Sequence, residues 1–98
     1  MNARDHSVFL FRLYVAGDTE NSALAQFNLK SLCQTHFLGR HVTEIVDVLR
    51  EPKRALADGI FMTPTLVKLK PFPSRKIVGT LSQTQTVLLA LGLDSGAK

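Results

Sequence analysis

Hydrophobic and polar positions alternate in short blocks along this chain, and the blocks change period. From Ser7 to Val15 the apolar residues fall on both faces of an extended segment. Phe9, Phe11, Leu13 and Val15 line one face and Val8, Leu10 and Tyr14 the other, with Arg12 the one interruption. A strand apolar on both faces belongs in the interior of a sheet. Ala16-Gly17-Asp18-Thr19 reads as a turn, after which Asn21 or Ser22 can cap a helix to about Thr35. Its stripe is Ala25, Leu29, Leu32 and Cys33 at helical spacing. Leu24 and Phe27 fall off that stripe, either to fill a groove beside the sheet or to form a contact surface.

Gly39 closes the segment. Val42, Ile45, Val46 and Val48, interleaved with Glu44 and Asp47, predict a second strand. Pro52 suits the first turn of a short helix through Ala57, ended by Gly59. Thr63-Pro64-Thr65 leads into a third strand at Leu66, Val67 and Leu69. Pro71-Phe72-Pro73 makes a turn, and Arg75 to Val78 a short fourth strand, paired with the third as a hairpin. Ser82-Gln83-Thr84-Gln85 has the spacing of a capping box with Ser82 as N-cap, opening a last helix to about Leu91. Two stretches, 60–69 and 87–91, are apolar runs that periodicity cannot assign to helix or strand.

The order βαβαββα, with early strands parallel across helices and a late antiparallel hairpin, is an α/β thioredoxin-like arrangement. At 98 residues the chain is expected to form a single domain over 1–98, with 1–6 and 94–98 flexible. An apolar share of 45% against 20% charged residues excludes a disordered chain. No stretch approaches the roughly 18 apolar residues of a membrane span, and the N-terminus lacks the apolar run of a signal peptide. The lone cysteine excludes a disulfide framework and fits a reducing, cytoplasmic setting.

Charge then changes the picture. Residues 1–58 balance seven bases against seven acids, whereas 59–93 hold Lys68, Lys70, Arg75 and Lys76 and no acid. The net +4 therefore sits in the second half, which suggests a negatively charged partner or an edge protected from aggregation. With Phe72 the one interleaved aromatic, the cluster offers little to a single-stranded nucleic acid, which needs several stacking platforms.

Catalytic chemistry finds no footing. A thioredoxin-type thiolate stands at the start of the first long helix. Here that place holds Asp18, Thr19, Glu20, Asn21 and Ser22, while Cys33 lies mid-helix on the apolar stripe. His36 and His41 flank a glycine turn at a spacing that completes no metal set, and His6 stands apart. No catalytic residue, cofactor or metal is expected. Thr63-Pro64 precedes a strand where thioredoxin folds carry a cis proline. X–Pro bonds are cis only about 5–6% of the time, so sequence alone leaves the isomer open.

Four motifs, in order and in register, resemble the KaiB family of the cyanobacterial circadian clock. They are Leu13-Tyr14-Val15-Ala16-Gly17-Asp18-Thr19-Glu20-Asn21-Ser22, Val46-Asp47-Val48-Leu49-Arg50-Glu51-Pro52, Thr63-Pro64-Thr65-Leu66, and Arg75-Lys76-Ile77-Val78-Gly79-Thr80-Leu81-Ser82. The resemblance spans roughly 7–93. It implies a non-catalytic binding protein that docks on the N-terminal ATPase ring of a KaiC-type partner, and in the clock also engages KaiA and a sensor kinase. It further implies two folds: a homo-oligomeric ground state, tetramer or dimer, of order βαββααβ, and a thioredoxin-like monomer that binds. Lys68 and Arg75, and with them Lys76, match basic positions of partner contact. Pro64, Pro71 and Pro73 are the hinge candidates, and Tyr14 and Asp47 are structural members of the motifs.

Departures from the pattern point to a paralogue. Glu20 stands for a usual Pro, Thr80 for a usual Asp, and Ala90 and Gly92 for a usual Gly and Asp. The five residues after Leu93 are shorter than the acidic tail of clock members. The competing readings are a thioredoxin-fold protein that has lost redox chemistry and binds another partner, and a weak nucleic-acid module.

Overall fold

A computed structural model describes residues 8–92; the ends expected to be flexible, 1–6 and 94–98, lie outside the described residues. The elements follow the order anticipated: β1 Phe9–Val15, α1 Glu20–His36, β2 His41–Asp47, α2 Pro52–Ala57, β3 Thr65–Lys70, β4 Arg75–Val78 and α3 Thr84–Ala90. They build one four-stranded sheet of order β2-β1-β3-β4. β1 is an inner strand, as its two apolar faces require.

β1 runs parallel to β2, from Phe9 opposite His41 to Val15 opposite Asp47. β3 is antiparallel to β1 and to β4. The expectation that helix-separated strands are parallel thus holds for β1 and β2 but not for β2 and β3. The reason is length. α2 has six residues, a rise of about 9 Å. β2 has seven and spans about 23 Å. So short a helix does not return the chain to the start of β2. β3 instead enters beside the C-terminal end of β1, with Thr65 opposite Tyr14.

The two faces of β1 seed two cores. Phe9, Phe11, Leu13 and Val15 pack with Ala25, Leu29, Leu32 and Cys33 of α1 and with Val87, Leu88 and Leu91 at the end of the chain. Phe37 wedges between two of these rings, 4.3 Å from Phe9 and 5.6 Å from Phe11 between centroids. Each such fully buried side chain contributes about 1.5–3 kcal/mol. Tyr14 points the other way, into a smaller cluster with Val46, Ala55, Ile60 and Val67 under α2. Leu24 and Phe27, off the stripe of α1, stay exposed. α1 buries Ser22 and its Ala25 to Cys33 stripe, and Phe27 lines an open groove between α1 and β2 without being buried in it.

Two helix starts differ from expectation. α1 begins at Glu20 and its N-cap is Thr19, whose Oγ1 accepts from the Ser22 N–H at 3.4 Å. Ser22 is fully buried inside the first turn. Its Oγ accepts from the Ala16 N–H at 3.0 Å and from the Thr19 hydroxyl at 2.8 Å, tying turn to helix. At α3 the capping box does not form. The N-cap is Gln83 without a side-chain cap bond, because the Ser82 hydroxyl instead accepts from Thr80 at 3.2 Å. The Thr63-Pro64, Lys70-Pro71 and Phe72-Pro73 peptides are cis. No helix among the described residues is long and apolar enough to cross a membrane.

Ser22→Ala leaves the part-buried Ala16 N–H without its acceptor and should cost about 1 kcal/mol, read as a lower urea midpoint at unchanged slope.

Candidate functional site

The basic residues of the second half sit on the β3–β4 hairpin, and pairing decides which face each occupies. Lys68 stands opposite Arg75, and Val67 opposite Lys76. Cross-strand partners share a face. Leu66 and Lys68 therefore look toward α1 and α3 with Ile77 and Arg75, while Val67 and Lys76 look toward α2. The three basic positions singled out from the sequence are not one cluster.

Their environments differ as well. Lys68 is 4% exposed. Its Nζ donates to the Leu91 carbonyl at 2.9 Å, at the C-terminal end of α3. Burial, and then the neighbouring Arg75 charge, push its ammonium below the usual lysine range. A cation at a helix C-terminus is favourably placed against the helix dipole. Arg75 and Lys76 are exposed. Lys76 Nζ reaches back to donate to the Asp58 carbonyl at 2.6 Å, beside the Gly59 turn that follows α2. Among the hinge candidates Pro64 is buried where the chain enters β3, whereas Pro71 and Pro73 flank the exposed Phe72 in the hairpin turn.

Next to the Lys76 side of β4 lies an apolar rim that the sequence reading did not single out. Phe61 is 86% exposed, and Met62, Leu56 and Val78 are also exposed. Phe61 and Met62 follow Gly59 and Ile60 in the loop before β3, where no element covers them. The signal was available: two large apolar residues between a glycine turn and a proline have no strand or helix face to join. Lys76 and this rim together form one surface beside the Gly59 turn.

A second missed feature lies under α2. Arg12, the interruption in β1, donates to Glu44 at 2.9 Å across the β1–β2 pair and to Asp58 at 3.0 Å. The Tyr14 hydroxyl also donates to Asp58. Arg54 of α2 pairs with Glu44 at 2.8 Å and with Glu51 at 3.2 Å. These partners hold two of the carboxyls, Glu44 and Asp58, down. Arg54 and Arg12 take Glu44 to about 2, and the Tyr14 and Arg12 bonds lower Asp58. Asp47 accepts from the Gly17 and Leu49 N–H groups at 3.1 and 2.9 Å, so its motif role is to tie two turns together.

The place of a thioredoxin thiolate is taken by the Thr19 and Ser22 cap. Cys33 is buried in the core of α1, and burial pushes its thiol up to about 11. A thiol held that high is protonated at neutral pH and a poor nucleophile.

Comparison with known proteins places these features in a lineage. Residues 12–93 match the KaiB domain family. The circadian clock oscillator protein KaiB of Synechococcus elongatus is 42% identical over 88 residues, 90% of this chain and 86% of that protein. Its counterpart in a Picosynechococcus strain is 45% identical over 85 residues, 87% of this chain and 82% of that protein. Among solved structures, the N-terminal domain of Synechococcus elongatus SasA superposes with a TM-score of 0.71 at 18% identity, covering 94% of this chain and 90% of that one. Chloroplastic thioredoxin z gives a TM-score of 0.73 at 19% identity over 95% of this chain and 84% of that one. Both confirm the thioredoxin-like fold.

A lysine whose folded value lies below its unfolded one binds fewer protons folded than unfolded, so stability rises with pH across that window. The stability of the parent relative to Lys68→Met should therefore increase as pH rises toward 10.5, the ordinary lysine value, when denaturant midpoints are compared at neutral and alkaline pH.

Proposed function

The chain belongs to the KaiB family, and from that premise we propose that it is a non-catalytic, cytoplasmic regulator of a clock or clock-like system. In this reading it binds the N-terminal ATPase ring of a KaiC-type partner. The observation that carries the proposal is the 42–45% identity to clock oscillator proteins over most of the chain. Support also comes from the exposed end of the sheet, where Lys76 borders Phe61, Met62 and Val78. An apolar contact rimmed by positive charge suits a partner surface that is apolar with acidic margins. Lys68 and Arg75 lie on the opposite face, where the Lys68 ammonium secures the end of α3 and Arg75 presents the charge outside.

The thioredoxin-like form is the binding form in this proposal. A homo-oligomeric ground state, tetramer or dimer, is the storage form, with Pro64, Pro71 and Pro73 bounding the segments that rearrange. Two packings within a few kcal/mol suffice for such exchange, and apparent affinity then scales with the population of the competent form. KaiA and a sensor kinase join the partner set where the system contains them. A thioredoxin-fold protein with another partner remains the rival reading, favoured by the buried, high-lying Cys33 thiol as much as the first. A nucleic-acid module draws less support, since Arg75 and Lys76 face opposite sides of the sheet and Lys68 is buried.

Size-exclusion chromatography with light scattering, on the chain alone and mixed with KaiC-type ATPases and nucleotide, tests the reading. A complex of ring and monomers is expected. Absence of a complex with any such ring overturns the function. Arg75→Ala with Lys76→Ala should weaken binding about tenfold at low salt, about 1.4 kcal/mol, and less so in high salt. Unchanged affinity would move the contact elsewhere.

A further inference from the structure

α1 carries large apolar residues that its buried stripe does not use, and one of them, Phe27, stands 68% exposed. It forms the outer wall of a groove of about 370 Å³ between α1 and β2, whose apolar lining continues through Leu29, Cys33 and Ile45. That volume lies at the small end of the roughly 300–1,000 Å³ of ligand pockets. The alignment of the two walls follows from the fold. β1 and β2 are parallel neighbours joined by α1, so the helix runs back against β2. A side-chain hydrogen bond between Thr43 and Cys33 sets these two opposite each other. Phe27, nearly two turns before Cys33, then lies toward Ile45. His41 lies at the other end, on the same face of β2 at the strand period.

The charged part of the lining is basic and unopposed. Lys30 stands between Phe27 and Cys33, about one turn from each, and is exposed. Its neighbours three and four positions away along α1 are Gln26, Phe27, Cys33 and Gln34, so no acid answers its charge on the helix. Among the described residues it has no ion-pair partner. The acids of β2 are engaged elsewhere. Glu44 is on the opposite face with Arg12 and Arg54, and Asp47 accepts from the Gly17 and Leu49 N–H groups. His41 adds a second basic group to the groove, and its Nδ1 is buried with no hydrogen-bond partner. Such an atom is uncommon in a folded protein, and no bond at Nδ1 holds the ring against turning toward an anion in the groove.

We propose that the groove between α1 and β2 is a binding site for a small aromatic carboxylate, with its ring against Phe27 and Ile45 and its carboxylate on the Lys30 ammonium. Phe27 and Lys30 are three helical positions apart, a rise of about 4.5 Å. So short a span suits a carboxylate joined directly to the ring, and the ring and the charge are read together. The exposed Phe27 ring offers an aromatic body offset or edge-on stacking that an aliphatic chain cannot match. Lys30 supplies a charge-assisted hydrogen bond to the carboxylate and meets a cationic analogue with like charge. The ligand touches side chains only and leaves the backbone edge of β2 unused. The groove lies on the α1 face of the sheet, whereas Lys76 and the Phe61–Met62 rim belong to the α2 side. The proposal is therefore independent of the ATPase-ring reading.

The test uses the full chain alone, isotope-labelled and titrated with naphthoate at low salt while amide NMR shifts are followed. Saturable shifts confined to 26–33 and 41–45 are expected. A Kd on the order of 1 mM is what the ligand efficiency of so small an acid gives. Naphthamide, the same ring without the charge, should bind about threefold more weakly. Lys30→Glu should weaken naphthoate by about fivefold and leave naphthamide unchanged, which separates the charge from the apolar contact. Phe27→Ala should weaken both. Lys30 and Phe27 are exposed, so the circular dichroism spectra of both variants should match that of the parent. No saturation up to about 10 mM, tenfold above that Kd, overturns the proposal. So do shifts centred outside the groove, equal binding of naphthoate and naphthamide, or naphthoate binding indifferent to Lys30→Glu.

Discussion

Everything in this fold depends on β1 being buried on both of its faces. A strand with Phe9, Phe11, Leu13 and Val15 on one side and Tyr14 on the other has no stable place at the surface. It takes a strand on each edge and helices above and below. α1 and α3 cover the larger face, and α2 the smaller. The one polar member, Arg12, could not be accommodated in the middle of such a strand without carboxylates at hand. Glu44 from the neighbouring strand and Asp58 from the end of α2 supply them. The ion pairs are half exposed and worth little individually. Their effect is positional: they join β1, β2 and the loop after α2, and so place the Gly59 turn and the apolar rim that follows it.

Much of this was legible in the residues because each early element has one dominant period. The period of two in 7–15 and the 3.6 spacing of Ala25, Leu29, Leu32 and Cys33 each point to a single structure. α2 and β4 were legible to the residue, since Pro52 and Gly59 punctuate one and the Pro71-Phe72-Pro73 turn precedes the other. The missed starts have a common cause. Thr19, Ser22, Thr80 and Ser82 are all competent caps, and which hydroxyl is used depends on whether a neighbour has already engaged it. Ser22 is spent on the Ala16 N–H and Ser82 on Thr80. Local sequence lists the donors and acceptors but not their assignments.

The site was less legible than the fold. Lys68, Arg75 and Lys76 look like one basic cluster along the chain, but strand pairing deals them to opposite faces and buries the first. A lysine between Val67 and Leu69 gives no sign in sequence that its ammonium will find the Leu91 carbonyl, 23 residues on. The apolar rim at Phe61 and Met62 lay inside the stretch 60–69 whose period was ambiguous. That ambiguity has a physical source: these residues are apolar without a face to bury, which is also the property of a contact surface.

The departures from the family pattern acquire a direction once placed on the structure. Glu20 occupies the first position of α1, where a negative charge meets the positive end of the helix dipole. Ala90 is the last residue of α3, and alanine there is favoured over glycine by about 1 kcal/mol. Gly92 adopts φ +89°, the left-handed conformation in which glycine ends helices, and its N–H donates to the Leu89 carbonyl at 3.0 Å. Lys68 then takes the carbonyl of Leu91, between the two. Thr80, which stands for an acid, offers its carbonyl to the Asn28 side chain of α1 at 2.8 Å and its hydroxyl to Ser82. Four substitutions at separate points in the chain thus each favour, or fit without strain, the same helices of the same fold. About 1 kcal/mol from a single alanine is already a several-fold change in the balance between a formed and an unformed last turn. The residues at which this chain departs from the family pattern are therefore accommodated by the thioredoxin-like packing itself, through a helix start, a helix end and the bonds that tie α1 and β3 to them.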